Sequence, residues 1–166
     1  MPIENRPFDL RRLVLNFCIK LGTDLVQKGF HLSINISPVM SRYFKGDPVR
    51  INDLLNNIIH FSLNYINEGG VAINVESEPI DNQNHKVCFI ISVSGYTLPT
   101  STLKTIFHSY KERQLNRDPA QVASLYIAKT IATTMGGELS VTNVLGLGTR
   151  YTATINLGVI SGQVMN

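Results

Sequence analysis

The chain has 166 residues, 43% of them hydrophobic and 16% charged, and a formal net charge of +3. This length suits one domain, and the composition is that of a globular protein rather than a disordered one. The small positive charge is compatible with an acidic ligand such as a nucleotide, but it is too small to indicate nucleic-acid binding. We therefore expect a single domain over residues 1–166 with no nucleic-acid partner.

Membrane and export signals are missing from the sequence. No apolar run approaches the ~20 residues that span a bilayer, and the N-terminal residues lack the apolar segment of a secretory signal. Cys18 and Cys88 lie within apolar segments, which favours buried thiols in a reducing compartment over a disulfide. These features predict a cytoplasmic domain that makes no membrane contact of its own.

The first half of the chain predicts two helices with a strand between them. Apolar residues at helical spacing predict a helix within residues 8–29, and alternation predicts a half-buried strand at 31–37. Asp47 as N-cap and Pro48 in the first turn then start a second helix, which we expect to continue through Ile66.

The second half predicts a strand pair, two helices and a closing hairpin. Residues 71–78 alternate and residues 87–94 form an apolar run, as expected for adjacent antiparallel strands. A short helix at 101–107 and an amphipathic helix at 119–135 follow, and a hairpin within 138–157 closes the domain. Antiparallel strand pairs with helices grouped on one face give an α+β two-layer sandwich.

The second helix is unusually rich in asparagine. Asn57, Phe61, Asn64 and Tyr65 fall at helical spacing and share one stripe, and Asn56 adds a further amide. Because asparagine is a poor helix former, several of them on one helix indicate that their side chains are used. The alternative is that they cap the helix, form a turn or contact solvent.

A glycine-rich turn in the closing hairpin is the second candidate for a binding feature. Gly146 and Gly148 allow positive φ angles, and the free N–H groups of such a turn can hold a phosphate. The alternative is a plain hairpin turn. The four histidines and two cysteines show no metal spacing, and no nucleophile elbow, Walker loop or dinucleotide fingerprint is present.

Taken in order, the asparagine-rich helix, the segment VSGYTLP, the last helix with its Gly-Gly stop and the GLGT hairpin resemble one family. It is the ATP-binding catalytic domain of sensor histidine kinases, hybrid kinases included, within the gyrase/Hsp90/histidine-kinase/MutL ATPase group. The resemblance covers nearly the whole chain. It implies a Bergerat-type sandwich, with a mixed sheet, helices on one face and a lid at about residues 99–121.

The resemblance assigns roles to the second helix. Asn57 falls where the family binds Mg²⁺, and Phe61 stands where a second asparagine is usual. Asn64 replaces a common lysine, and Tyr65 matches the aromatic residue that lies against adenine. Asp53 occupies the place where hydrolases of the wider group carry a glutamate base, so it is the candidate catalytic residue.

The segment VSGYTLP matches the first glycine box, normally Asp-x-Gly-x-Gly. Gly95 keeps the first glycine, but Thr97 replaces the second, and Val93 replaces the aspartate that accepts the adenine amino group. Losing a charge-assisted hydrogen bond costs about 1.5–3 kcal/mol, which lowers affinity roughly ten- to a hundredfold. The resemblance therefore implies an impaired pocket.

The other two glycine boxes differ in how well they survive. The second box is Val-Ala-Ser at 122–124, without the glycines that let a lid approach phosphates. The third is retained as Gly146, Gly148 and Thr149. No histidine is followed by the acidic residue and proline of a phosphoacceptor, so the resemblance implies that the phosphoacceptor lies on another domain.

Two functions follow from the resemblance. In the first, the domain is a degenerate, pseudokinase-like member of a two-component phosphorelay, with little or no ATP binding and a docking or regulatory role. In the second, it binds ATP and Mg²⁺ and transfers the γ-phosphoryl group to a histidine elsewhere. Either implies a histidine-containing dimerisation or phosphotransfer domain, or a response regulator, as partner. Pairing of such domains would make a homodimer, and the parent protein can be membrane-anchored.

Overall fold

The structure is a computed structural model, and it describes residues 2–105 and 119–160. Within these ranges the chain forms helices on one side of a mixed sheet. The elements in chain order are β1 (Arg6–Asp9), α1 (Leu10–Gln27), β2 (His31–Ile36), β3 (Tyr43–Gly46), α2 (Pro48–Ser62), β4 (Ile66–Pro79), β5 (Asn84–Gly95), α3 (Thr100–Thr105), α4 (Pro119–Thr134), β6 (Leu139–Val144) and β7 (Gly148–Val159).

The sheet runs in the order β1-β3-β7-β5-β4-β2, with β6 paired to β7 beside this path. The long strands β4, β5 and β7 are antiparallel, and β2 joins β4 in parallel, which makes the sheet mixed. Alternate residues of the central strands, such as Val71, Ile91 and Tyr151, are buried in one core with residues of α1, α2 and α4. The α+β sandwich with helices on one face is therefore confirmed.

The second helix is shorter than the sequence predicted. It was expected to continue through Ile66, but α2 ends at Ser62 and Ile66 already pairs with Gly95 in the sheet. The amides of Asn64 and Tyr65 bond to carbonyls three residues back, at 3.2 and 3.0 Å, so the last turn tightens and the helix stops. Pairing of β4 with β5 outweighs the helical pattern of residues 63–66.

Two short strands and one burial pattern also differ from the expectation. β1 and β3 pair with each other at one edge of the sheet and were not predicted, because four residues are too few to show a period. At the other edge, β2 leaves Ile34 40% exposed, since it has a neighbouring strand on one side only. The remaining predicted elements that fall on described residues are confirmed.

Part of the expected lid lies outside the described residues. The helix predicted at 101–107 is described as α3, which ends at Thr105, and the polar stretch at 106–118 is outside the description. The side chain of Val122, in the second glycine box, is also outside it. None of the described helices is both long and apolar enough to cross a membrane.

Candidate functional site

Val93 and Thr149 face each other at the ends of β5 and β7. They are partners in the antiparallel ladder, and their side chains are 4% and 3% exposed on the helix side of the sheet. The Thr149 hydroxyl has no hydrogen-bond partner among the described residues, although it is buried. The side chain of Val93 has no polar atom to offer it. The position that the resemblance assigns to a carboxylate therefore holds hydrocarbon beside an unsatisfied hydroxyl.

Three aromatic rings fill the space at the end of α2. Phe61 is fully buried, with its ring centroid 5.4 Å from that of Tyr65 and 6.1 Å from that of Tyr151. Tyr151 is also fully buried, and its phenol oxygen has no partner among the described residues. Burial raises the pKa of Tyr151 well above its usual value, and the nearby Tyr65 raises it further. The position that the resemblance assigns to a second asparagine is thus part of the hydrophobic core.

The assigned asparagines make hydrogen bonds to the helix itself. The Asn64 side-chain amide donates to the carbonyls of Phe61 and His60, at 3.0 and 3.3 Å, and so satisfies the end of α2. The Asn57 amide donates to the Asp53 carbonyl at 2.8 Å. The expectation that Asn57, Phe61, Asn64 and Tyr65 share one helical stripe is wrong for Asn64 and Tyr65, because both lie beyond the end of α2 at Ser62. The side chain of Asp53 is exposed on α2.

Gly95 and Gly148 bring three backbone segments close together. Gly95 has a φ of 143°, and a Cβ there would lie 2.5 Å from the Tyr65 carbonyl oxygen. Gly148 has a φ of 145°, and a Cβ there would overlap the Val93 carbonyl oxygen. Both positions therefore require glycine. The segments that the resemblance assigns to the first and third glycine boxes thus meet where the backbone leaves no room for a side chain.

The other two assigned glycine-box positions are at the surface. Thr97, at the second position of the first box, is exposed between Gly95 and α3. Gly146 has a φ of 78° in the β6–β7 turn, and no atom of the described residues would touch a Cβ there. Within the described part of the chain, these two positions have no packing role.

Asn143 was missed by the sequence analysis. Its side chain accepts a hydrogen bond from the Leu98 amide and donates one to the Leu98 carbonyl, both at 2.9 Å. It thereby ties β6 to the segment that leads from β5 into α3, where Leu98 is 2% exposed. An asparagine at an inward position of β6, in phase with Leu139 and Val141, is the signal that could have identified it.

Ser94 is a second residue that the sequence analysis missed. Its hydroxyl accepts from the Gly70 amide and donates to the Glu68 carbonyl, both at 2.7 Å. These bonds bridge the irregularity in the β4–β5 pairing between Ile66 and Val71. The Ser-Gly at the end of β5 thus holds the strand end in place.

A known protein-family model, described as "Histidine kinase-, DNA gyrase B-, and HSP90-like ATPase", matches residues 46–159 of the chain. Among curated proteins, the chain is 26% identical over 162 residues to hybrid signal transduction histidine kinase B of Dictyostelium discoideum. It is 29% identical over 157 residues to sensor protein EvgS of Escherichia coli K12. These matches cover 96% and 94% of this chain, but only 8% and 13% of the relatives. The chain therefore spans a small part of the length of either relative.

Solved structures show the same fold. Full-length ShkA in complex with AMPPNP superposes with a TM-score of 0.77 and 18% identity, over 96% of this chain and 32% of that one. The mycobacterial sensor histidine kinase MprB gives a TM-score of 0.65 and 15% identity, over 93% and 97%. With the family match over residues 46–159, these findings show that the chain belongs to the histidine kinase-, DNA gyrase B- and HSP90-like ATPase family, as a domain of the histidine-kinase type.

Proposed function

We propose that this domain is a degenerate, pseudokinase-like member of a two-component phosphorelay protein, and that it acts by docking or regulation rather than by catalysis. The observation that carries the proposal is Val93. It is buried against Thr149 at the position where the family resemblance requires a carboxylate for adenine. A base placed there would leave its amino group unpaired, which costs about 1–3 kcal/mol beyond the lost bond.

The other assigned residues support the same proposal. Mg²⁺ prefers oxygen ligands in octahedral geometry, and of the two asparagine positions only Asn57 carries an oxygen, because the other is Phe61. Asn64 is engaged with the end of α2 instead of a phosphate. The residues present do not fit Mg²⁺-ATP bound in the family manner.

A competent module is the second candidate. The unpartnered Thr149 hydroxyl favours it, because buried polar groups without partners are rare and often belong to ligand sites. The retained backbone at Gly95 and Gly148 favours it too. The similar ShkA structure is described as a complex with AMPPNP. In this function the domain would bind ATP and Mg²⁺, with Asp53 as a candidate base, and transfer the γ-phosphoryl group to a histidine on another domain.

Both functions have the same partners, namely a histidine-containing dimerisation or phosphotransfer domain, or a response regulator. The names of two similar proteins, hybrid signal transduction histidine kinase B and sensor protein EvgS, support partners of this kind. Docking to such a partner needs no nucleotide. Co-purification with the parent protein's dimerisation and receiver domains, in the absence of ATP, tests this part of the proposal.

Calorimetric titration with AMPPNP and Mg²⁺ separates the two functions. The degenerate domain gives no binding heat at millimolar nucleotide. Micromolar binding that disappears in Gly148→Val would overturn our proposal and support the competent module. Asn57→Ala is the second variant, because alanine is a good helix former and the substitution does not alter a positive-φ glycine. Circular dichroism checks that each variant is folded.

A further inference from the structure

A cavity lies on the sheet face that points away from the helices. Side chains alternate along a strand, so Ser92 and Arg150 face outward, while their neighbours Val93 and Thr149 face the core. Ser92 pairs with Ala72 on one side and with Arg150 on the other. These outward residues line a cavity of about 250 Å³. We call it the outer trough; it lies back to back with the candidate nucleotide site.

Small side chains create the outer trough. Gly70, Ala72 and Ser92 form its floor across β4 and β5, where larger residues would fill the space. Val144 and Leu147 form an apolar wall beside the β6–β7 turn, and Leu147 is 67% exposed. The trough is smaller than the 300–1,000 Å³ typical of drug-sized sites. Its size and lining suit a compact ligand with an apolar body.

The polar groups of the trough point to an anionic ligand. Arg150 lines it and is exposed, and no described carboxylate forms an ion pair with this guanidinium. His31 and Ser33, at the start of β2, add an imidazole and a hydroxyl on the opposite side. Among the residues that the structure describes, no acidic side chain lines the cavity. A guanidinium matches a carboxylate well, because it offers parallel N–H donors.

We propose that the outer trough binds a small carboxylate with an apolar body, such as an aromatic acid. Arg150 holds the carboxylate, and the body lies over Ala72 against Val144 and Leu147. The proposal uses side chains that point away from the candidate nucleotide site, although Val93, Gly148 and Thr149 of that site also line the cavity.

Amide chemical shifts of ¹⁵N-labelled protein test the proposal, with benzoate and benzyl alcohol as probes. We expect benzoate to shift the amides of the trough and benzyl alcohol to bind more weakly. Ala72→Leu fills the floor and should abolish benzoate binding, whereas Asn74→Leu adds the same side chain two residues along the same face and should not. Arg150→Gln should raise the benzoate Kd roughly tenfold, as expected for a charge-assisted hydrogen bond, and Lys86→Gln should leave it unchanged.

Three results would overturn the proposal. These are the absence of trough shifts at millimolar benzoate, equal binding of benzyl alcohol and benzoate, and benzoate binding that survives Ala72→Leu in a folded variant. Shifts confined to the helix side of the sheet would also overturn it, because they would place the acid in the nucleotide site instead.

Discussion

Thr149 and Tyr151 bury hydroxyl groups that have no hydrogen-bond partner among the described residues. Such a group loses its hydration without compensation, at a cost of about 1–3 kcal/mol. Both lie beside Val93 and Phe61, which stand where the family resemblance places polar residues. In the degenerate domain that we propose, the two hydroxyls are the remainder of a polar pocket.

Replacing Thr149 by valine should stabilise the protein. The substitution removes an unsatisfied hydroxyl and keeps the volume, so we expect the free energy of unfolding to rise by about 1 kcal/mol. Urea denaturation of wild type and Thr149→Val measures this. Thr152→Val, on the outward face of the same strand, is the control and should change stability little. A loss of stability in Thr149→Val would show that the hydroxyl has a partner in solution.

Tyr151→Phe should reduce the alkaline loss of stability. Burial raises the pKa of Tyr151 above the usual 10.0. The folded phenol therefore stays protonated at a pH at which the unfolded phenol ionises. The contribution of Tyr151 to the free energy of unfolding is intact below about pH 10 and declines as the pH rises above that value. The decline approaches about 1.4 kcal/mol per pH unit for one proton. Denaturation between pH 8 and 11 (roughly the range that brackets this ionisation) should show a flatter profile for Tyr151→Phe. Identical profiles would contradict the assignment.

At the scale of elements, the end of α2 decides how the asparagine-rich segment is used. The helix stops at Ser62, and the Asn64 side chain satisfies two of its terminal carbonyls. Helical spacing in the sequence placed Asn64 on a ligand stripe, because periodicity does not show where strand pairing begins. Asn64 therefore has a structural role. Asn57 has one in part, because its side-chain amide donates a hydrogen bond to the Asp53 carbonyl.

Asn64→Ala should destabilise the protein by about 1 kcal/mol, because terminal carbonyls of α2 lose their side-chain donor. Chemical denaturation provides the measurement. Asn56→Ala is the matched control: Asn56 is exposed on the same helix, and alanine is the better helix former, so stability should hold or rise slightly. If the two variants behaved alike, the capping role of Asn64 would be wrong.

Asn143 controls the segment between β5 and α3 through its paired bonds to Leu98. Asn143→Ala removes both bonds and should speed hydrogen exchange of the Leu98 amide roughly five- to thirtyfold, since each hydrogen bond contributes about 1 kcal/mol. Asn143→Asp keeps the acceptor for that amide and should preserve more of its protection. Equal exchange rates in wild type and Asn143→Ala would show that the two hydrogen bonds between Asn143 and Leu98 do not hold this segment in place.

At the scale of the whole molecule, long periodic segments allowed the fold to be predicted. Asp47 caps α2 as expected, accepting from the Arg50 amide at 3.1 Å, and the antiparallel pair β4–β5 follows from the alternation of residues 71–78. The strands β1 and β3 could not be predicted, because four residues carry too little pattern.

The candidate site was predictable only in part. Val93, Gly95 and Gly148 could be aligned from the sequence, whereas the packing of Phe61 against Tyr151 and the unsatisfied Thr149 hydroxyl depend on contacts between distant segments. The outer trough likewise arises from small residues on separate strands, which become neighbours only in the sheet. Patterns along the chain predict elements, but a pocket depends on what the elements bring together.

Calorimetric titration of wild type and Val93→Asp with AMPPNP and Mg²⁺, side by side, tests whether Val93 prevents nucleotide binding. We predict no binding heat from wild type at millimolar nucleotide. Val93→Asp restores the missing acceptor beside Thr149 and should give measurable affinity, about tenfold or more above wild type, with uncharged Val93→Asn gaining less. Micromolar binding by wild type, or no difference between wild type and folded Val93→Asp, would contradict the account.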